Sequence, residues 1–245
     1  MRRVGILGGM GPEATILLQQ KIIAGVVARD DADHIPLIVD QNPQVPSRIR
    51  HLIERTGPDP APVLADMARR LVAGGAEALA MPCNTAHHYA PAIRAAVAVP
   101  FLDMIALSAA HAAALAGPGG QIGILASPAV RKVALFEPAL ARYGLTATYP
   151  EDEAAMLAAI RQIKSGGPLA PAETTLRRAS DELLARGAAV QMIACTEFSL
   201  IAGAVSPEAA VFDTLDQLVA GILSFAKNDV GPALAVDGQI PHHAG

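Results

Sequence analysis

The chain has 245 residues, of which 52% are hydrophobic and 3% are aromatic, and its formal net charge is -4. This length and composition are typical of an α/β protein of one or two lobes that buries a sizeable core. Acidic and basic residues are interspersed, with neither a basic stripe nor a polybasic block, which argues against nucleic acid or a membrane surface as a partner. The expected partners are small molecules or proteins.

The N-terminal segment does not resemble an export signal, because Arg2 and Arg3 run into the short apolar segment Val4–Leu7, which ends at Gly8. The Ala-rich run Ile105–Ala116 is shorter than the roughly 20 residues that span a bilayer. We therefore expect a cytoplasmic protein in which this run is a buried helix.

Short β-like runs alternate with helical stretches in the first hundred residues, which is the rhythm of βαβ units. We expect these strands to form one mostly parallel sheet with helices between them, including one from Pro62 to Ala73. The predicted strands are Arg3–Leu7, Ile35–Val39, Ala76–Met81 and Val99–Leu102.

The same rhythm restarts after residue 102 and predicts a second lobe of similar construction. Its predicted strands are Gln121–Ala126, Leu145–Tyr149 and Ala189–Ala194, and its predicted helices are Pro128–Tyr143, Glu151–Lys164 and Pro171–Arg186. The strand Ala210–Phe212 and the helix after it are expected to return to the first lobe. The predicted domains are therefore residues 1–101 with 210–227, residues 102–209, and a tail over 228–245.

Two short sequence echoes relate the halves. Val4–Leu7 is echoed by Ile122–Leu125, and Ala80–Thr85 is echoed by Ile193–Glu197. A match between short apolar strands is weak by itself, but two echoes in the same order favour a duplicated architecture. The predicted fold class is α/β, with two similar lobes, each a mostly parallel sheet flanked by helices, related by a pseudo-twofold axis with an interlobe cleft.

The two cysteines, Cys83 and Cys195, each follow a predicted strand at the end where open parallel sheets form ligand crevices. Asn84 and Thr85 begin a helix after Cys83, and the positive end of a helix favours a thiolate. Glu197 adds negative charge that holds the Cys195 thiol protonated, so the pair is expected to be asymmetric. Two alternatives remain: small buried hydrophobic residues, or a disulfide, which a reducing compartment disfavours.

Other polar motifs give weaker indications. His87 and His88 suggest a Cys–His nucleophile pair or metal ligands, but the chain lacks any CxxC or HExxH pattern, so both ideas are disfavoured. The loop Gly8–Glu13 lacks the marks of a P-loop or a dinucleotide motif, although its N–H groups can bind a small anion. Arg48 is either a carboxylate ligand or a solvated loop residue. Lys164 by default complements a helix dipole.

Four motifs in order resemble the aspartate/glutamate racemase superfamily, most closely its aspartate racemase branch, over nearly the whole chain to about Phe225. These motifs are Gly5–Pro12, Asn42–Pro46, Met81–His87 and Ala194–Glu197. The resemblance implies two α/β lobes with the active site between them, no pyridoxal phosphate or metal cofactor, and a homodimer. It also implies that Cys83 and Cys195 form the acid/base pair and that Arg48, Asn84, Thr85 and Lys164 bind substrate. We add as candidate substrate-binding residues Met10, Ser47, Ser127, Thr196 and Glu197.

The expected reaction is racemisation of an amino acid, in which one thiolate removes the Cα proton and the opposing thiol protonates the other face. Two departures from the family pattern bear on the substrate: Pro46–Ile49 replaces a typical Pro-Asp-Arg-Thr, and Ser127–Val130 replaces a threonine-rich turn. The expected substrate is therefore aspartate or a related, less acidic amino acid. A two-thiol isomerase acting on a non-amino-acid or hydantoin-type ring and a non-catalytic amino-acid sensor remain open.

Overall fold

A computed structural model describes residues 1–228 of the chain. The strands of this part form two four-stranded sheets, and in each sheet all neighbouring strands run parallel. Apolar clusters that include helix residues lie on both faces of each sheet. This architecture confirms the predicted α/β class with two similar lobes.

The first lobe contains the strands β1 (Val4–Gly8), β2 (Leu37–Gln41), β3 (Ala78–Ala80) and β4 (Phe101–Leu102). Its helices are α1 (Pro12–Ala24), α2 (Ala61–Ala73) and α3 (Ala90–Ala96), joined by 3₁₀ turns at Asp31–Asp33 and Thr85–Tyr89 and a π-helical turn at Arg50–Glu54. The strand order is β2-β1-β3-β4. Every residue of β1 is buried, as expected for a parallel strand covered on both faces.

The second lobe contains the helices α4 (Met104–Ala116), α5 (Pro128–Lys132), α6 (Glu137–Ala141), α7 (Glu153–Lys164), α8 (Ala170–Ala185) and α9 (Thr196–Ser199). Its strands are β5 (Gln121–Ala126), β6 (Thr146–Thr148), β7 (Val190–Ala194) and β8 (Ala210–Asp213). The strand order, β6-β5-β7-β8, repeats that of the first sheet. Strands β3 and β7 are therefore equivalent, and each is followed by a cysteine.

Two sequence predictions for the second half were wrong. Strand β8 was expected in the first lobe, but it pairs with β7 and completes the second sheet as β4 completes the first. The predicted helix Pro128–Tyr143 is two short helices, because Ala134 adopts a left-handed φ of 48° between them. The predicted tail, 228–245, lies outside the described residues except for Asn228.

The lobes exchange one helix each. The final helix, α10 (Thr214–Lys227), follows a strand of the second sheet, yet its apolar face packs with β1 and α1 in the first lobe. Conversely, α4 follows a strand of the first sheet and packs with β5 in the second lobe. The two exchanged helices cross closely, since a Cβ on Gly221 would lie 2.8 Å from Leu107 Cδ1.

The Ala-rich helix α4 is buried along one face only, on Met104, Ile105, Ser108, Ala109 and Ala112. Within residues 1–228, none of the helices combines the length and the apolar character needed to cross a membrane.

Asp213 is the N-cap of α10 and gives a stability prediction, because its Oδ1 accepts a hydrogen bond from the Leu215 N–H at 2.8 Å. Burial raises the pKa of Asp213 from 3.8 to about 6. Because the pKa of Asp213 is raised in the folded protein, the contribution of this carboxyl group to stability is fully present below pH 3.8. It is lost as the pH rises through about 6. Asp213→Asn keeps the capping oxygen without the charge.

We therefore expect the stability of Asp213→Asn relative to wild type to be higher at pH 7 than at pH 4, by up to about 3 kcal/mol. Urea unfolding of both proteins at the two pH values measures this difference, and the comparison cancels the contributions of other carboxyl groups. A relative stability that does not change between pH 4 and pH 7 contradicts the prediction.

Candidate active site

A cavity of about 700 Å³ is bordered by loops at the carboxyl ends of both sheets. From the first lobe come residues 9–14 after β1, residues 43–49 after β2, and Cys83 with Thr85 after β3. From the second lobe come residues after β5 and β7 and one face of α7. This is the crevice position expected of open parallel sheets, here shared by two of them.

The loop after β1 brings main chain close to the cavity. Gly9 has a φ of +91°, and its N–H donates to Thr15 Oγ1 at 2.9 Å. A Cβ on Gly9 would lie 2.4 Å from the carbonyl carbon of Asn42, so this turn requires glycine for both its backbone angle and its close approach. The loop can therefore offer backbone groups to a ligand without a side chain in between.

We expect Gly9→Ala to lower the free energy of unfolding by more than about 2 kcal/mol, because the substitution adds a left-handed non-glycine residue and a steric overlap. Gly203→Ala is the matched control, since an added Cβ there meets nothing within 4 Å. That control is expected to stay within about 0.5 kcal/mol of wild type. Equal effects of the two substitutions in urea unfolding would show that the turn tolerates a side chain.

Cys83 lies in a tight turn between β3 and the 3₁₀ turn, and its N–H donates to the Met81 carbonyl at 2.9 Å. His87 secures this turn from behind: its Nδ1 lies 2.9 Å from the Cys83 carbonyl oxygen, and its Nε2 accepts from the Met104 N–H at 3.2 Å. Burial lowers the pKa of His87, which favours a neutral ring. Because Nε2 accepts from the Met104 N–H, the proton of the neutral ring lies on Nδ1. His87 is thus a structural residue of the cysteine turn.

Cys195 is the N-cap of α9, and its thiol donates a hydrogen bond to Glu197 Oε2 at 3.0 Å. The other carboxylate oxygen of Glu197 pairs with Lys164 Nζ, which reaches it from the last turn of α7. All three side chains line the cavity. The second lobe therefore supplies a connected thiol, carboxylate and ammonium group.

The electrostatics of this group are asymmetric. Burial, and then the negative charge and hydrogen bond of Glu197, raise the pKa of the Cys195 thiol well above its ordinary value. Burial acts to lower the pKa of Lys164, but the Glu197 carboxylate outweighs it, so the lysine pKa is raised. At neutral pH, Cys195 is a protonated thiol beside a carboxylate and Lys164 is a cation.

The loop after β2 carries Arg48, whose Nη1 donates to the carbonyl oxygens of Val45 at 3.2 Å and Pro46 at 2.9 Å. These bonds fold the arginine onto its own loop, where it lines the cavity beside Ser47 and Ile49. The guanidinium has five N–H donors, so this arrangement leaves capacity to bind a carboxylate.

The structure brings most of the predicted site residues to the cavity. The lining includes Met10, Ser47, Arg48, Cys83, Thr85, Ser127, Lys164, Cys195 and Glu197. Asn84 and Thr196 do not line it and are buried at 2% exposure each. The Asn84 amide nitrogen instead donates to Thr214 Oγ1 at 3.0 Å, and its Oδ1 has no hydrogen-bond partner within residues 1–228.

Several cavity residues were not singled out from the sequence, among them Ala14, Ile160 and Leu200. The sequence did contain a signal that Ile160 borders the site, because Ile160 lies one helical turn before Lys164 and therefore shares its face of α7. His87 is buried and His88 is exposed, and neither lines the cavity.

Both cysteines are free thiols, each less than one-tenth exposed. Residues 1–228 contain no group of three or more His, Cys, Asp or Glu side chains that could hold a metal ion. Both thiols border the cavity, and the Cys195 thiol is hydrogen-bonded to Glu197.

Solved structures of similar shape support an assignment of the fold. Aspartate racemase from Picrophilus torridus is 25% identical with a TM-score of 0.81, and the match covers 93% of this chain and 95% of that one. An aspartate racemase homologue from Pyrococcus horikoshii OT3 is 22% identical with a TM-score of 0.70, covering 93% and 100%. Glutamate racemase isoform RacE1 from Bacillus anthracis is 17% identical with a TM-score of 0.68, covering 93% and 82%.

The two-lobed α/β fold is thus the fold of these solved racemase structures. The family model described as Asp/Glu/Hydantoin racemase matches residues 7–221, which is most of the chain. This protein belongs to the Asp/Glu/Hydantoin racemase family, which confirms the resemblance read from the sequence motifs.

Proposed function

We propose that the protein is a cofactor-independent amino-acid racemase that uses Cys83 and Cys195 as its two acid/base groups. The observation that carries this proposal is that both thiols line one cavity, each at the end of an equivalent strand, one from each lobe. Inversion at a carbon atom by proton transfer needs one group on each face, and two opposed thiols meet that need.

The hydrogen bond from the Cys195 thiol to Glu197 suggests the order of proton transfers. Glu197 holds Cys195 as a thiol, so Cys83 in its thiolate form removes the Cα proton. The electron pair of the broken C–H bond moves into the substrate carboxylate. The Cys195 thiol then gives its proton to the opposite face of Cα, which completes the inversion and leaves Cys195 as the thiolate. Racemisation in the other direction reverses the roles.

Cationic and main-chain groups in the cavity suit a carboxylate substrate. Arg48 and Lys164 line the cavity, and the main chain of the glycine loop from Gly9 approaches the same space. Electrostatic stabilisation of the negative charge that builds on the carboxylate is expected to be the largest contribution to catalysis. Ile49 and Ile160 add apolar walls, so we propose aspartate or a related, less acidic amino acid as the substrate.

The test is solvent-deuterium incorporation at Cα, followed by ¹H NMR, over a panel of L- and D-amino acids that includes aspartate and glutamate. Reducing conditions and no added cofactor are used, and chiral chromatography measures inversion in the same samples. Deuteration accompanied by loss of optical purity is the expected result. Binding of an amino acid without exchange favours a sensor, and neither binding nor exchange across the panel favours an isomerase acting on a substrate of another class.

A further inference from the structure

A buried threonine hydroxyl connects the turns that carry the two cysteines. Thr214, the first residue of α10, has no exposed surface. Its Oγ1 accepts a hydrogen bond from Asn84 Nδ2 at 3.0 Å and donates one to the Ile193 carbonyl oxygen at 2.9 Å. Asn84 directly follows Cys83, and Ile193 lies two residues before Cys195. One hydroxyl group therefore joins the first-lobe cysteine turn to the second-lobe cysteine strand.

Each partner of this hydroxyl is held in place. Ile193 belongs to β7 and is paired with Asp213 in the sheet, so its carbonyl is fixed by the strand. Asn84 is almost wholly buried and cannot replace the lost bond with one to bulk water. A threonine hydroxyl has a single proton to donate, and here it is used on Ile193 while a lone pair receives Asn84. Loss of the hydroxyl leaves both partners buried without this bond.

Other bonds between the lobes are less able to fix the cavity. Arg161 forms an ion pair with Glu54 at 2.8 Å, and Lys132 Nζ donates to the Ile53 carbonyl at 3.1 Å. The Arg161–Glu54 pair is solvent-exposed, with side-chain exposures of 57% and 39%, and exposed pairs of this kind contribute little. The Thr214 link, in contrast, is buried and lies within two residues of each cysteine.

We propose that Thr214 is a positioning residue that sets the separation of the Cys83 and Cys195 thiols. The inference rests on the proposed racemase function and adds a residue from outside the cavity to it. In that reaction both sulfur atoms need to be at proton-transfer distance from one carbon at the same time. A misplacement of about 1 Å in such a geometry can cost about a hundredfold in rate.

The experiment compares variants that differ by the hydroxyl alone. Thr214→Val keeps the shape of threonine and removes the hydroxyl, and Thr214→Ser keeps the hydroxyl. If Thr214→Val does not fold, the comparison of Thr214→Ala with Thr214→Ser tests the role of the hydroxyl. Both side chains are smaller than threonine, and of the two only serine carries a hydroxyl. In D₂O, deuterium incorporation with retention measures delivery of a solvent-derived deuteron to the face that lost the proton, and inversion measures delivery to the opposite face.

We expect the ratio of exchange with retention to inversion to rise about tenfold in Thr214→Val and Thr214→Ala. It should stay within about twofold of wild type in Thr214→Ser, which is the conservative rescue. A change in stability alone lowers both rates in proportion to the folded fraction and leaves the ratio unchanged. If wild type racemises and the ratio is the same in all variants, the positioning role is overturned while the racemase function stands.

A second readout does not depend on turnover. The chain contains only two cysteines, so bridging of both by dibromobimane, followed by fluorescence, reports Cys83 and Cys195 together. If wild type shows no exchange and no inversion, the racemase proposal fails and bridging decides the inference by itself. Slower bridging in Thr214→Val and Thr214→Ala than in wild type and Thr214→Ser supports the role of Thr214. Equal bridging rates, or no bridging in wild type, overturn it.

Discussion

Replacement of either cysteine by serine is expected to lower the inversion rate by about a thousandfold or more, since general acid–base groups contribute on this scale and serine titrates far above neutral pH. Cys83 and Cys195 are 8% and 7% exposed, and sulfur-to-oxygen exchange hardly changes the volume of the side chain, so both variants are expected to fold. Chiral chromatography of each enantiomer in D₂O gives the inversion rate.

The two variants are each other's control, because the pair is asymmetric. In Cys195→Ser, Cys83 can still remove a proton from one enantiomer and return deuterium to the same face, so exchange with retention is expected for that enantiomer alone. In Cys83→Ser, the remaining thiol is held protonated by Glu197, so exchange of both enantiomers should be slow. Equal residual exchange in the two variants contradicts the proposed order of proton transfers. Unchanged inversion in either variant would falsify the two-thiol mechanism.

Replacement of Glu197 by glutamine is expected to make the Cys195 thiol more acidic and to reduce turnover at pH 8 by about tenfold or more. The substitution keeps the size of the side chain and removes its negative charge, which is one cause of the raised pKa of Cys195. The thiol needed as proton donor is then lost at a lower pH. The alkaline limb of the pH–rate profile should therefore move to lower pH.

Alkylation by iodoacetamide isolates this effect when it is measured in the Cys83→Ser background, where Cys195 is the only thiol. The reaction follows the thiolate, so its pH dependence should shift to lower pH in Cys83→Ser/Glu197→Gln. Glu153→Gln in the same background is the matched control, because Glu153 forms a surface ion pair with Arg131 at 2.9 Å. An unshifted alkylation profile in the Glu197 variant, equal to that of the control, would rule out control of Cys195 by Glu197.

Much of the fold could be predicted because parallel strands covered on both faces are nearly continuous apolar runs between helical segments. The topology at the end of the chain could not be predicted in this way. The segment from Ala210 is recognisable as a strand, but nothing in its pattern says which sheet edge it joins. Ala134 likewise gives no local signal for the left-handed conformation that divides a predicted helix, since alanine normally favours helical backbone.

The candidate site could likewise be predicted only in part. The cysteines were identifiable because each ends a buried strand and precedes a polar turn. The direction of the neighbouring side chains could not be deduced: Asn84 turns away from the cavity to Thr214, a residue 130 positions later in the chain. Long-range hydrogen bonds of this kind depend on how the last helix packs, which local patterns do not encode.

The exchange of α4 and α10 also limits how the molecule can open. Each helix follows a strand of one lobe and contributes to the apolar core of the other, so the chain crosses between the lobes just before each of these helices. A hinge motion that swings the lobes apart would separate α4 from α10 at the close approach of Leu107 and Gly221 and expose apolar surface to water. Outward movement of the loop over residues 43–49 would also expose apolar surface, because Val45 is buried in the apolar core of the first lobe. Both ways of opening the cavity therefore act against the hydrophobic effect.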